Sequence, residues 1–328
     1  MILAGDIGAT KCNVALFDES QGKLIRIAQR RFLARHFSSL EQILDEFLGQ
    51  SSERPAAAAF GVAGPVVNNQ VRFTNRPWTV DGGALAAHLG LRRVTLYNDL
   101  EATAYGLRML EAADLFPLNQ GTPVSTANQV VIAAGTGLGE AILFWDGRRH
   151  RASASEGGQC DFSPRTETEI ELLRFLKKRF PGPVSQEMIL SGGGFRLLHE
   201  FLDPGGKHPS FDEKGADAAE EITRNALQAK CPVCVRALDQ WVSLYGSEAG
   251  NMALKTLARS GVYVAGGIAP KIIDKLRDGT FMEAFCDKWR YRPMLTQIPV
   301  YVVLNEDCPL LGAAACAVED GPVGAAAP

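Results

Sequence analysis

The chain has 328 residues, 46% of them apolar and 22% charged, enough for a sizeable core and most simply for two domains. Its 34 basic and 37 acidic residues leave a net charge of −3, which gives no electrostatic reason to expect a nucleic-acid or membrane partner. No apolar run approaches the roughly 20 residues of a membrane span, and the sequence opens into a strand without a basic leader, so a cytoplasmic protein is expected.

Leu3 to Phe17 predicts two apolar strands joined by a small-residue turn, a β-hairpin. Gly5 and Gly8 permit close backbone approach, Thr10 and Lys11 offer donors, and N–H groups in such a turn form a concavity for an anion. The spacing is not that of a P-loop. A glycine turn that binds nothing is the plain alternative, but Asp6 in an apolar strand is costly to bury without a partner. Ser38 to Leu48 predicts an amphipathic helix with Leu40, Ile43, Leu44 and Phe47 on one face. Ala57 to Val66 reads as a buried strand ending in a Gly-Pro turn. Asn75-Arg76-Pro77-Trp78 follows, then a helix from Asp81 to Leu89.

Val94 to Tyr97 is β-branched and aromatic, as suits a short buried strand, and Leu100 to Leu110 has helical periodicity. Asn98 and Asp99 stand at their junction, at the carboxyl end of the strand, where open α/β sheets bind ligands. Asp99 also suits a helix cap, and on this stretch alone the cap is the simpler reading. Hairpin, helix, strand, helix, strand is an α/β pattern.

Ala112 to Gln129 is polar and reads as a linker or surface excursion. Val130 to Trp145 then repeats the N-terminal element: apolar strand, Gly135-Thr136-Gly137 turn, apolar strand. A dinucleotide-binding reading of this turn fails, because Glu140 stands where the third glycine belongs and a strand follows instead of a helix. Ser155 to Pro164 is a polar loop dense in donors and acceptors, and Thr166-x-x-Glu169 is a capping box opening a helix to Arg179. Pro181-Gly182-Pro183 breaks that helix. Ser185 to Leu190 is a short helical turn closed by Ser191-Gly192-Gly193-Gly194, and Glu187 sits where first-turn acids are favoured in any helix.

Ala216 to Ala258 is nearly all helical in pattern. The seven scattered cysteines, an odd count, read as reduced thiols. Cys231-Pro-Val-Cys234 is followed by no second pair and no His at zinc spacing, so it reads as structural at a helix start, with a redox role as the lesser alternative. Val262 to Pro270 is a third glycine-bearing strand end. Ile298 to Leu304 is a last strand, Leu310 to Val318 a closing Ala-rich helix, and the Gly321 to Pro328 tail is expected to fray.

Three glycine-rich strand ends and a strand-end carboxylate suit phosphoryl transfer, in which a protein positions groups and stabilises charge. Gly5-Asp6-Ile7-Gly8-Ala9-Thr10, Asn98-Asp99, Gly135-Thr136-Gly137-Leu138-Gly139, Ser155-Glu156-Gly157-Gly158 and Ala265-Gly266-Gly267-Ile268 resemble, in order and spacing, the bacterial glucokinase family. The likeness runs from Leu3 to about Val318. It implies an α/β, two-domain actin-like (ribonuclease-H-type) ATPase fold with ATP and sugar in the inter-domain cleft. The small domain would hold residues 1–110 plus about 300–328, and the large domain residues 111–299.

The resemblance further implies ATP-dependent phosphorylation of the 6-hydroxyl of glucose, with ATP and Mg2+ as cofactors. Asp99 would be the general base. Asn98, Asp99, Glu156, Gln159 and Glu187 would bind the sugar. Gly5, Asp6, Ile7, Gly8, Ala9, Thr10, Thr136 and Gly137 would line the phosphates, and Gly266 and Gly267 the nucleoside. Asp6 would lie near magnesium, through water. Sugar and ATP are the implied partners, with a homodimer as a family-level expectation.

Two positions depart from the family pattern. Ala9 replaces a usual second glycine, and Gln159 replaces a histidine that touches the sugar, which bears on sugar identity more than on kinase chemistry. The Cys-rich zinc motif of the related repressor–kinase (ROK) proteins is absent. A kinase for another hexose or an amino sugar on the same fold is the alternative. A non-catalytic sugar-sensing regulator is less expected, because the sequence opens at the first strand without a helix-turn-helix domain.

Overall fold

The computed structural model describes residues 1–49, 54–73, 78–206 and 217–320. Asn75-Arg76-Pro77, Ala216 and the Gly321 to Pro328 tail lie outside them. The chain divides into two units, Met1–Ala113 with Asn305–Pro328, and Asp114–Leu304.

In the first unit, β1 (Ile2–Ile7) and β2 (Lys11–Ser20) form the expected hairpin, closing on the pair Ile7↔Cys12. β2 also pairs with β3 (Lys23–Leu33), an edge strand not anticipated from the sequence because most of its side chains stay in solvent. Lys23, Arg26, Arg30 and Arg31 along it are the kind of charge that discourages edge pairing. α1 (Leu40–Leu48) leads to β4 (Ala57–Val62), which lies parallel to β1. A ribbon of β5 (Gln70–Arg72) and β6 (Thr79–Asp81) precedes α2 (Gly82–Leu89), capped by the Asp81 carboxylate on the Ala84 N–H. β7 (Val94–Asn98) completes the sheet in parallel with β4, giving the order β3-β2-β1-β4-β7.

Side-chain alternation divides β1 between two apolar layers, as a sheet buried on both faces requires. Leu3 and Ile7 pack with Leu40, Ile43, Leu44 and Leu85 of α1 and α2. Ile2 and Ala4 pack with Leu310, Ala313, Ala314 and Ala317 of the C-terminal helix, Cys308–Asp320. That helix lies against α3 (Asp99–Gly106) at backbone contact: a Cβ on Gly312 would stand 1.8 Å from the Ala102 carbonyl oxygen, and one on Gly106 2.0 Å from that of Cys308. α3 is shorter than its apolar periodicity, passing into a 3-10 turn over Leu107–Met109.

In the second unit, β8 (Leu115–Pro117), β9 (Gln129–Ala134), β10 (Leu138–Trp145), β11 (His150–Ser155), β12 (Gly261–Ala265) and β13 (Val300–Val303) form one sheet of order β11-β10-β9-β12-β13-β8. β9 and β10 are the expected second hairpin, and β12 and β13 the expected strands. The stretch read as a linker is in part structural. Its β8 pairs antiparallel with β13, and the Asn119 side chain brackets the strand beyond, donating to the Ile298 carbonyl at 2.8 Å and accepting from Val300 N–H at 2.9 Å. An edge strand tolerates Pro117, which has no N–H to contribute.

α4 (Glu167–Arg179) opens with Thr166 accepting from the Glu169 N–H. The Glu169 carboxylate reaches one residue further back than a capping box, to the Arg165 N–H at 2.5 Å. α5 (Gln186–Ile189) follows. The glycine run then corrects the sequence reading: it opens α6 (Gly192–Leu202) instead of closing a turn. A Cβ on Gly194 would stand 1.7 Å from the Ile189 carbonyl oxygen, so only glycine lets the new helix leave so closely after the old one. α7 (Ala218–Leu227) and the 25-residue α8 (Pro232–Thr256) cover the sheet. In that layer Phe195 stacks on Trp241 at 4.7 Å between centroids, and the Tyr245 hydroxyl donates to the Ile132 carbonyl and accepts from Ala134 N–H.

Candidate active site

In the first unit, the parallel pairing of β1, β4 and β7 brings their carboxyl ends to one sheet edge, through the registers Asp6↔Gly61, Ile7↔Val62 and Val62↔Asn98. The turn after β1 is held by the Gly8 N–H donating to the Lys11 carbonyl at 2.9 Å, and Thr10 is exposed. Gly5 serves packing: a Cβ there would stand 2.6 Å from the Phe60 ring. Ile7 puts its side chain into the core, leaving its backbone for the turn. Ala9 is not among the non-glycine residues with left-handed backbone, so alanine fits this turn without strain.

Asp6 carries the electrostatic signature of this edge. Burial pushes its carboxyl up to about 7, the Asp99 charge adds to the rise, and Arg31 opposes it. Asn98, and not Asp99, caps α3: its side-chain oxygen accepts from the Leu100 and Glu101 N–H groups, and its amide donates to the Gly64 carbonyl at 3.1 Å. Asp99 is the first helical residue and accepts from the Leu100 N–H at 2.9 Å.

In the second unit the β9–β10 turn closes on Ala134↔Leu138, with the Gly135 N–H donating to the Gly137 carbonyl at 2.9 Å. Thr136 is exposed at its tip. Glu187 ties this turn to the polar loop: one carboxylate oxygen accepts from the Leu138 N–H at 3.0 Å and the other from the Gln159 amide at 2.9 Å. A Cβ on Gly137 would stand 2.5 Å from that same Glu187 carboxylate. Glu156 is exposed and precedes a 3-10 turn, Gly157–Gln159, closed by the Gln159 N–H on the Glu156 carbonyl. The two glycines in that turn are steric necessities. A Cβ on Gly157 would stand 1.9 Å from the Glu140 carboxylate, and one on Gly158 2.1 Å from the Leu138 carbonyl oxygen.

Gly266 has φ +85°, and a Cβ there would stand 2.4 Å from the Ala134 carbonyl oxygen, so the third glycine strand end presses on the strand that leads into the second turn. Gly267 beside it is exposed with open space around it. The structure thus groups Asp6, Asn98 and Asp99 on one edge of the first unit, and Gly137, Gln159 and Glu187 in one hydrogen-bonded corner of the second, with Glu156 on the same loop.

A buried acid lies beneath that corner. Glu140 is 4% exposed, and burial together with the Glu248 charge pushes it up to about 7, against the pull of Lys255. Glu248 accepts from the Gln186 and Asn251 amides, and the Gln186 N–H donates to the Cys160 carbonyl, so the layer reaches the loop carrying Gln159. The available signal was an acid in an apolar strand of a repeated hairpin, the pattern that drew attention to Asp6.

Known proteins are similar to this chain over nearly its whole length. The glucokinase family model matches residues 3–320. A glucokinase of Nostoc punctiforme is 37% identical over 337 residues, covering 97% of this chain and 98% of its own. A glucokinase of Synechocystis is 38% identical over 347 residues, with the same coverage. The crystal structure of glucokinase from an Antarctic psychrotroph superimposes with a TM-score of 0.84 at 29% identity, covering 97% of this chain and 98% of the other. The chain belongs to the glucokinase family.

Proposed function

We propose that the protein transfers the γ-phosphoryl group of ATP to the 6-hydroxyl of glucose, giving glucose 6-phosphate and ADP. The observation that carries the chemistry is the Asp6–Asp99 pair at one sheet edge, in a chain related to glucokinases along its length. Asp99 takes the proton of the attacking hydroxyl, as a carboxylate in hydrogen-bond reach of it can. The Asn98 cap fixes the first turn of α3 and with it the Asp99 backbone. The exposed Thr10 and Thr136 of the two turns, with backbone N–H groups beside them, receive phosphate oxygens, and Gly266 and Gly267 border the nucleoside.

Glu156, Gln159, Glu187 and Asn98 hold sugar hydroxyls. A site built to hydrogen-bond several hydroxyls rejects analogues lacking them. In the structure Gln159 and Glu187 satisfy each other, an arrangement in which sugar hydroxyls would exchange for that bond. Asp6 fits a magnesium ion held through water. Its carboxyl is pushed up to about 7 by burial and by the Asp99 charge, a burden that a nearby cation relieves. When bound, magnesium would neutralise phosphate charge as it transfers.

ADP release measured with glucose, other hexoses and amino sugars tests the proposal. Glucose is expected to give the highest kcat/KM, and a higher value for another sugar would replace glucose as the substrate. A homodimer and a cytoplasmic location belong to the same proposal. Sedimentation of the purified protein checks the first and cell fractionation the second.

A further inference from the structure

The C-x-x-C pair opens α8. Cys231 is its cap and accepts from the Cys234 N–H at 3.4 Å, and Pro232 follows at the first helical position, where its fixed backbone is already helical. Both sulfurs therefore sit at the N-terminus of a 25-residue helix, where backbone N–H groups favour thiolate over thiol. The sequence offers no His after this pair, but the fold supplies one from before it. His199 comes from the last turn of α6, and its ring nitrogen and the two sulfurs all lie within 4.8 Å of one another.

We propose that His199, Cys231 and Cys234 form a binding site for a soft divalent cation of the zinc class, bridging α6 and α8. The donors are those zinc prefers, two sulfurs and an imidazole. With Zn–S bonds of about 2.3 Å and Zn–N bonds of about 2.0–2.1 Å, tetrahedral ligands stand about 3.5–3.8 Å apart. The three atoms thus need to close by about 1.3 Å at most, within reach of side-chain rotation. His199 is 5% exposed and Cys234 0%, whereas Cys231 is half-buried. The ion enters from the Cys231 side, where water completes the fourth position. Each thiol passes its proton to solvent as its sulfur takes the metal.

The bridge has a structural consequence. α6 begins with the Gly192 N–H donating to the Gly135 carbonyl of the β9–β10 turn at 2.9 Å. Tying the far end of α6 to α8 would brace the helix on which that turn leans.

The test uses the full-length protein, reduced and stripped with a chelator, then titrated with Co2+ and with Zn2+. One equivalent of cobalt is expected to give thiolate-to-cobalt charge-transfer absorption, and zinc to abolish it. Zinc at about a hundred times its Kd should multiply the folded-to-unfolded ratio about a hundredfold, raising Tm by about 5 °C or more. Cys231→Ala, the half-exposed position least prone to disturb folding, and His199→Asn should each lose the band and the zinc shift while still phosphorylating sugar. Absence of the band and of the shift in the reduced parent overturns the proposal. So does a band that survives in both variants, or a Cys231–Cys234 disulfide whose reduced form takes no cobalt.

Discussion

In both units an antiparallel hairpin extended by a third strand leads into two parallel strands, in the orders β3-β2-β1-β4-β7 and β11-β10-β9-β12-β13. The two copies differ at the hairpin turn. The first closes on Ile7↔Cys12 and encloses Gly8 to Lys11; the second closes on Ala134↔Leu138 and is one residue shorter. The first carries its acid, Asp6, on the entering strand, where the second has Ala133. The second carries its acid, Glu140, on the returning strand. Both acids are raised to about 7, the first by burial and the Asp99 charge, the second by burial and the Glu248 charge. One carboxylate thus faces the edge where chemistry is proposed. The other lies under the loop where sugar binding is proposed. One backbone plan thus carries its buried acid at the strand edge beside Asp99 in the first unit and beside Glu248 in the second.

The largest expected effect breaks the first copy. Asp99→Asn should keep the fold and sugar affinity and lower turnover by about 10²–10⁴-fold, because the amide cannot take a proton. Retention of more than about a tenth of turnover would remove Asp99 as the base. The matching change in the second copy is Gly137→Ala, whose Cβ would meet the Glu187 carboxylate at 2.5 Å. Losing the Leu138 and Gln159 contacts of Glu187 should raise the sugar KM by about 10–100-fold. Gly8→Ala in the first turn, where the nearest atom is the Lys11 carbonyl oxygen at 3.0 Å, should cost less. Equal effects in the two turns would deny the asymmetry.

Gln159→Ala sharpens the corner further. The sugar KM should rise about tenfold, with the ATP KM little changed. An unchanged glucose KM would place Gln159 outside the sugar site. Gln159→His should add a pH dependence near neutrality that the parent's sugar affinity lacks.

The smallest effect is in stability. A carboxylate whose pKa is raised on folding makes the folded state bind more protons, so stability falls as pH rises from the unfolded value, 3.8 for Asp6 and 4.5 for Glu140, to about 7, and is level above. Asp6→Asn and Glu140→Gln should each flatten part of that decline, by a few degrees of Tm between about pH 4 and about pH 8. Adding magnesium with ADP at the higher pH should recover stability in Glu140→Gln and not in Asp6→Asn. Equal recovery in both would sink the assignment of the cation to Asp6.

The buried hairpins, the strand ends and the long helices were legible because apolar runs and glycine punctuation mark them directly. β3 and β11 were not, since edge strands leave half or more of their side chains in water and lose the apolar alternation that identifies a strand. The glycine run at 192–194 was misread for a different reason. Glycine usually ends a helix by its backbone freedom, whereas here it starts one by its lack of volume. The ordered motifs named the candidate site residues, but their local duties came only from three dimensions. On its own stretch Asp99 suits a helix cap, and the structure gives that cap to Asn98. Glu187, expected at the sugar with a helix-start charge as its plain alternative, joins a turn to a loop through the Leu138 N–H and the Gln159 amide. His199 and the C-x-x-C pair meet only because α6 and α8 pack together.

The glycine-lined contact between α3 and the C-terminal helix has a consequence for biosynthesis. One face of the first sheet, with Ile2, Ala4, Ala15, Phe17 and Ala59, is covered by Leu310, Ala313 and Ala314. Those covering residues leave the ribosome only after all of Asp114–Leu304 has been made. At about 5–20 residues per second, that is a delay of about 10–40 s. The second unit is contiguous and can fold as it emerges. The first must wait with an apolar face open, the surface that a chaperone would hold on the nascent chain.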